Sequence, residues 1–318
     1  MLTFDDWKKA IVHLECAADS ASWPERKAIM EEIQGVLKAG KYVDMELIER
    51  RNKILIEGLR NKRYQGTAIF LEHESCSYLI TARHVIEDKS FPEEGIKWCG
   101  ADRDNAYNII FRVPSLDLVL SDRGFPLRNL MNLNTVNAVT FSDPELDLAI
   151  ISLNNPLYKP FAEELIRDGY SPISLEDIAD EPSDEGADIC AIGFPMATSL
   201  LGTLDLPSAV LHWSSDSFSL PITSYGKVAM LHENLSYLWG DISTYPGNSG
   251  GPIIESGKLV GIVSAQPTIY IEEMTNTETE EFVPFTARTR IPFTKIVKSK
   301  YIKNLLDEQI ERDKWISR

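Results

Sequence analysis

The sequence predicts a mainly β protein built from short strands. Three observations predict it. Runs of strand length are rich in β-branched and aromatic residues, Gly, Pro, Asn and Asp bound those runs, and the runs are spaced regularly along 318 residues. That combination belongs to sandwiches and barrels. In chain order the first expected strands are 10–17 (AIVHLECA), 66–72 (GTAIFLE), 77–86 (SYLITARHVI), 106–113 (AYNIIFRV), 137–141 (NAVTF) and 147–153 (DLAIISL). The second group is 187–194 (ADICAIGF), 209–213 (AVLHW), 227–232 (KVAMLH), 251–256 (GPIIES), 258–266 (KLVGIVSAQ) and 286–293 (TARTRIPF). An acid-rich stretch separates the groups, so the expected domains are 1–175 and 176–318.

Two stretches depart from the strand pattern. Within 24–62, Ile29, Met30, Ile33, Val36 and Leu37 recur at three- and four-residue spacing, and Gly40 stops this first helix. Leu47, Ile48, Ile54, Leu55 and Leu59 line one face of a second helix opening near Asp44. The pair predicts a helical hairpin inserted between the first two strands. At the carboxyl end, IVKSKYIKNLLDEQIERDKW reads as an amphipathic terminal helix. No internal repeat or low-complexity linker interrupts the rest.

Composition narrows the classes of function. With 43% hydrophobic and 25% charged residues, the chain can bury a sizeable core. No run approaches the ~18–20 consecutive apolar residues of a membrane span. The amino terminus, MLTFDDWKK, sets acids ahead of its lysines and lacks the apolar stretch of a signal peptide. A cytoplasmic protein with no membrane partner is expected. A net charge of −16 without a basic stripe excludes a nucleic-acid partner. The acidic runs 177–188 and 272–281 read as solvated loops that would repel acidic peptides or attract basic ones. Cys16, Cys76, Cys99 and Cys190 are scattered and read as buried free thiols. No His or Cys pair has ligand spacing, and neither a P-loop nor a dinucleotide fingerprint occurs. Neither a metal nor a cofactor is expected.

The strongest local signal is PGNSGGP at 246–252. A serine between glycines, where the backbone turns tightly, presents a nucleophilic hydroxyl to a carbonyl. Missing side chains let substrate approach the backbone N–H groups of Gly247 and Ser249, which would face the oxyanion of a tetrahedral intermediate. GNSGG also fits the G-x-S-x-G elbow of α/β-hydrolases, in which the histidine follows the serine. All five histidines here (His13, His73, His84, His212 and His232) precede Ser249, so that reading is excluded. A histidine upstream of the serine remains. His84, in LITARHVIED, would take the serine proton as general base. Asp147, in ELDLAIISL, would fix the imidazole tautomer from the head of an apolar strand.

Together these segments resemble the trypsin-like (chymotrypsin-fold) serine proteases, most closely the bacterial high-temperature-requirement branch. The matching residues are TARHV around His84, LDLAII around Asp147, and D-x4-P-G-N-S-G-G-P from Asp241 to Pro252. AIGFP at 191–195, GIVSAQ at 261–266 and AIVHLECA are weaker matches. The resemblance implies two Greek-key β-barrels, with His84 and Asp147 on the first, Ser249 on the second, and catalysis between them. It also implies Ser243 near the floor of the specificity pocket and Gln266 on its wall. Neither is acidic, so small or medium uncharged side chains are the expected occupants. No carboxyl-terminal peptide-binding module of the kind many relatives carry is expected, because the chain ends soon after the terminal helix.

Asp117, in SLDLVLSD, competes with Asp147 because it lies nearer His84 in sequence. Asp147 is favoured because IISL and then AIGFP follow it in the family's order. Asn248 stands where pancreatic-type relatives have the aspartate that pairs with a newly cleaved amino terminus, so activation by that cleavage is not expected. The expected activity is an endopeptidase acting on proteins or peptides through an acyl-enzyme. A catalytically silent binding scaffold and an esterase are the alternatives. The helical hairpin either buries its apolar faces against each other and the barrel, or leaves part of them to bind a regulatory partner or a second copy of the chain.

Overall fold

The computed structural model describes residues 2–18, 23–61, 63–87, 107–112, 127–130, 138–156, 158–167, 169–195, 221–276 and 282–316. The first part is a seven-stranded antiparallel sheet. Its strands are β1 (Ile11–Ala18), β2 (Arg63–His73), β3 (Cys76–Ala82), β4 (Tyr107–Arg112), β5 (Leu127–Leu130), β6 (Val139–Phe141) and β7 (Leu148–Ser152). They lie in the order β5-β4-β1-β2-β3-β7-β6. The segments GTAIFLE, SYLITA and LAIIS are apolar almost throughout rather than alternating, which is the mark of a strand buried on both faces. Side-chain alternation explains it. Leu14, Phe70, Leu79 and Ile151 point into one core. Ile11, Ile69, Ile80 and Ile150 point into another.

Strands β8 (Asp188–Gly193), β9 (Ile222–Met230), β10 (Tyr237–Ile242), β11 (Pro252–Glu255), β12 (Lys258–Ala265) and β15 (Thr294–Lys298) close into a six-stranded barrel. Ile189, Ala191, Leu238, Ile253, Val263 and Ile296 fill its interior. The opposite faces of these strands (Ile192, Ile254, Ile262 and Val297) join Ile69, Ile80 and Ile150 of the first sheet in one shared core. Packing between the halves is therefore continuous and apolar. Strands β13 (Thr268–Asn276) and β14 (Phe282–Arg290) form a separate two-stranded hairpin.

Helix α1 (Phe4–Ala10) starts with a capping box between Thr3 and Asp6 and buries Trp7. Helices α2 (Trp23–Lys38) and α3 (Met45–Asn61) make the expected hairpin, and the Asp44 carboxylate accepts from the Glu46 N–H at the start of α3. A single helical turn, α4 (Arg83–Ile86), follows β3, and α5 (Lys159–Arg167) follows β7. The terminal helix α6 (Lys300–Ile316) crosses back over the first sheet. There Thr140 Oγ1 donates to Gln309 Oε1 at 2.7 Å, and Ser152 Oγ to Asp313 Oδ2 at 2.7 Å. None of the described helices is long and apolar enough to cross a membrane.

The mainly β architecture, the helical insertion and the terminal helix are as expected; of the two expected barrels the second is closed, while the described strands of the first form a seven-stranded sheet. Several local expectations are corrected. β3 ends at Ala82 because the chain turns helical at Arg83. Residues 272–276 are strand rather than loop, since Glu272 and Glu273 pair across from Thr286 and Phe285. The first residues assigned to the terminal helix instead complete the barrel as β15, with Ile296 and Val297 buried. Cys190 is buried but Cys76 only partly, and both are free thiols. The expected strand 209–213 lies outside the described residues.

Candidate active site

His84 sits on α4, directly after the buried strand β3. Asp147 sits at the end of a tight loop entering β7. The loop closes when the N–H groups of Leu146 and Asp147 both donate to Asp143 O, at 3.0 and 3.1 Å. Asp147 has φ +57°. Aspartate is among the few residues besides glycine that tolerate this left-handed region. In that conformation the Arg83 N–H donates to Asp147 O at 3.0 Å, and the His84 N–H donates to Asp147 Oδ1 at 3.0 Å. The imidazole Nδ1 lies 2.9 Å from Oδ2 and 3.1 Å from Oδ1. An ionised carboxylate only accepts, so Nδ1 carries a proton, and in the neutral imidazole the lone pair is left on Nε2.

Ser264 Oγ donates to Asp147 Oδ2 at 2.6 Å, a second strong contact on the same oxygen. Burial favours the neutral acid at Asp147. The His84 ring hydrogen bond and charge, the Ser264 hydroxyl and the His84 N–H outweigh burial and hold this carboxyl below its ordinary value. Arg83 braces the arrangement from behind. Its Nε and Nη2 grip Glu87 at 3.0 and 2.7 Å, and Nη1 donates to the Ser142 carbonyl. The turn carrying His84 is thereby tied to the loop carrying Asp147.

The segment 246–252 turns as its glycines require. Gly247 has φ +103° and Gly250 φ +84°. A Cβ on Gly250 would lie 2.1 Å from Thr67 O, so a side chain there would displace strand β2. Thr67, fully buried on β2, anchors the turn. Its hydroxyl donates to Gly247 O at 2.8 Å and its N–H to Ser249 O at 2.8 Å. The Phe194 N–H donates to the same hydroxyl oxygen at 3.1 Å. Thus one side chain of the first sheet holds both the serine turn and the end of β8. The N–H groups of Gly247 and Ser249 have no hydrogen-bond partner among the described residues. Ser249 Oγ rests 3.3 Å from Ser264 O.

His84 and Ser249 line one cavity of about 360 Å³, together with Thr244, Val263, Gln266 and Arg290. Gln266 lines this cavity, whereas Ser243 is exposed and its buried neighbour Thr244 is a lining residue. β10 ends at Ile242, and the Thr244 hydroxyl turns inward, 2.8 Å from Thr294 Oγ1 on β15. Asn248 is buried beside the serine. Asp117 lies outside the described residues. Thr67, Arg83, Ser264, Thr244 and Arg290 were not singled out from sequence. Ser264, Arg83 and Thr244 lie within the matched segments GIVSAQ, TARHV and D-x4-P-G-N-S-G-G-P, but nothing local ties Thr67 or Arg290 to the serine.

Residues 66–262 match the family model described as a trypsin-like peptidase domain, a span that contains His84, Asp147 and Ser249. No curated protein matches the chain.

Proposed function

Since the chain belongs to the trypsin-like peptidase domain family, we propose that it is a serine endopeptidase in which Ser249, His84 and Asp147 form the catalytic triad. One observation carries the reading: the Asp147 carboxylate is fixed on Nδ1 of an imidazole that lines the same cavity as Ser249. In the proposed mechanism Ser249 Oγ leaves its long contact with Ser264 O and hydrogen-bonds His84 Nε2. Such contacts commonly tighten only when substrate binds. Nε2 takes the proton as Oγ attacks the scissile carbonyl, and Asp147 stabilises the imidazolium without itself being protonated. The N–H groups of Gly247 and Ser249 stabilise the oxyanion. Loss of one such donor typically costs ~10²–10³ in rate. The C–N bond then breaks, His84 returns the proton to the leaving amine, and water hydrolyses the ester on Ser249 by the reverse sequence.

The reading extends to the setting. The free thiols of Cys76 and Cys190 suit a reducing, cytoplasmic compartment. Helices α2 and α3 bury Ile29 and Ile54 but expose Leu37, Tyr42 and Met45 around their connecting loop, which suits contact with a partner or a second copy. Hydrolysis of an internally quenched peptide library by wild type, Ser249→Ala and His84→Ala tests the central assignment. Each variant is expected to lose turnover by ~10⁴-fold or more, because the triad acts as a unit. Cleavage retained by Ser249→Ala contradicts it.

A further inference from the structure

We infer that this peptidase selects an acidic side chain, glutamate or aspartate, on the acyl side of the cleaved bond, and that Arg290 is the selecting residue. The inference rests on the serine-peptidase reading above and adds its substrate class. The observation is the cavity wall beside Ser249. Apart from the catalytic imidazole, Arg290 is the only charged residue among the described residues that line it.

Arg290 reaches the cavity through strand register. It is the last residue of β14 and stands opposite Thr268, the first residue of β13, and both line the cavity. The base of the hairpin thus forms one wall. The guanidinium makes one contact among the described residues, Nη1 to Gln266 Oε1 at 3.3 Å, and no ion pair with a described carboxylate. Five N–H groups in a planar fork are suited to grip a carboxylate. This cation stands out against a chain of net charge −16.

The remaining wall offers a carboxylate less. Thr294 Oγ1 donates its proton to Ile242 O at 2.9 Å, so the 2.8 Å contact between the two threonine hydroxyls is donated by Thr244. Thr244 therefore has no proton left for a ligand. Val263 and Ala265 add only apolar surface, which suits an aliphatic stem. Gln266 Nε2 donates to Ile291 O at 3.3 Å, and its second N–H can join Arg290 on the ligand. A lysine or arginine in the same place would meet Arg290 as a like charge and find no carboxylate among the described residues of the wall.

The test uses peptides identical except at the residue before the cleaved bond: Glu, Gln, Asp, Asn, Ala or Lys. kcat/KM is measured for wild type, Arg290→Gln, Arg290→Lys and Arg290→Glu at low and high salt. Wild type is expected to prefer Glu over Gln, or Asp over Asn, by about tenfold or more, as for a hydrogen bond to a charged group. That ratio should shrink at high salt. It should fall towards one in Arg290→Gln, survive in part in Arg290→Lys, and turn towards Lys in Arg290→Glu. Equal rates for acid and amide in wild type overturn the inference, and that outcome needs no variant to fold. A ratio unchanged in Arg290→Gln overturns the role of Arg290. Absence of both cleavage and fluorophosphonate labelling is a different result, which removes the peptidase reading and this inference with it.

Discussion

Asp147 is partly buried, and burial by itself favours the neutral acid. The hydrogen bonds that His84 and Ser264 place on its oxygens outweigh burial and hold the carboxyl below its ordinary value. Two consequences follow from its carboxyl lying below the ordinary value. Between that native value and the unfolded one, near ~3.9, the unfolded chain binds more protons than the native one. The carboxylate's contribution to stability is therefore complete above the unfolded value and disappears as pH falls through the native one. In denaturant titrations across pH, Asp147→Asn should be less stable than wild type near neutrality, with the gap closing below about pH 4. The same substitution should cut turnover by about 10⁴, because an amide no longer fixes the imidazole tautomer. An Asp147→Asn enzyme of normal turnover would move the catalytic acid elsewhere, and Asp117→Asn is the variant to compare. The pairing of His84 with Asp147, and the cavity His84 shares with Ser249, follow from three residues that the sequence marks by their short local contexts. Thr67 is not marked in this way. It is an ordinary strand residue whose partner, Gly247, is 180 positions away.

At the scale of elements, the β-branched runs fixed most strands correctly, because both faces of β2, β3 and β7 are buried and their apolar signal is dense. The failures have separate causes. β10 (YLWGDI) carries Gly240 in its middle, which reads as a turn. Here the glycine makes room for Ile296, whose Cδ1 would lie 2.7 Å from a Cβ at that position. β13 was read as part of a charged loop because the composition of Glu272 and Glu273 outweighed the β-branched residues before them. α1 was legible from Thr3 and Asp6, whose spacing is that of a capping box, but the segment was weighed only as a leader. The α2–α3 hairpin carries a prediction of its own. Connections between barrel strands need only a few residues, so these helices are surplus to the sheet. Replacing 24–62 with a short Gly/Ser linker should leave the fold and small-peptide hydrolysis in place while changing oligomeric state or cleavage of folded proteins. If all of these are unchanged, the hairpin is packing alone.

Across the whole molecule, function depends on holding two halves in register. The residues of the site come from both: His84 and Asp147 from the first sheet, Ser249, Ser264 and the cavity wall from the barrel and its hairpin. A shared core of Ile69, Ile80, Ile192, Ile254 and Ile262 packs the two together. Trp7, Ile302 and Leu306 extend that core, so both terminal helices seal the joint. Hydrophobic patterning located most of the strands, but not that the far faces of two separate sheets meet. Hence the long-range residues of the site, Arg290 above all, emerged only with the fold. The most direct test of the central claim is to treat the intact protein with a fluorophosphonate and locate the adduct by peptide mass spectrometry. One adduct on Ser249, abolished by His84→Ala and blocked by prior incubation with a cleavable peptide, is the predicted result. Failure to label at neutral pH, or an adduct on any other residue, would contradict it.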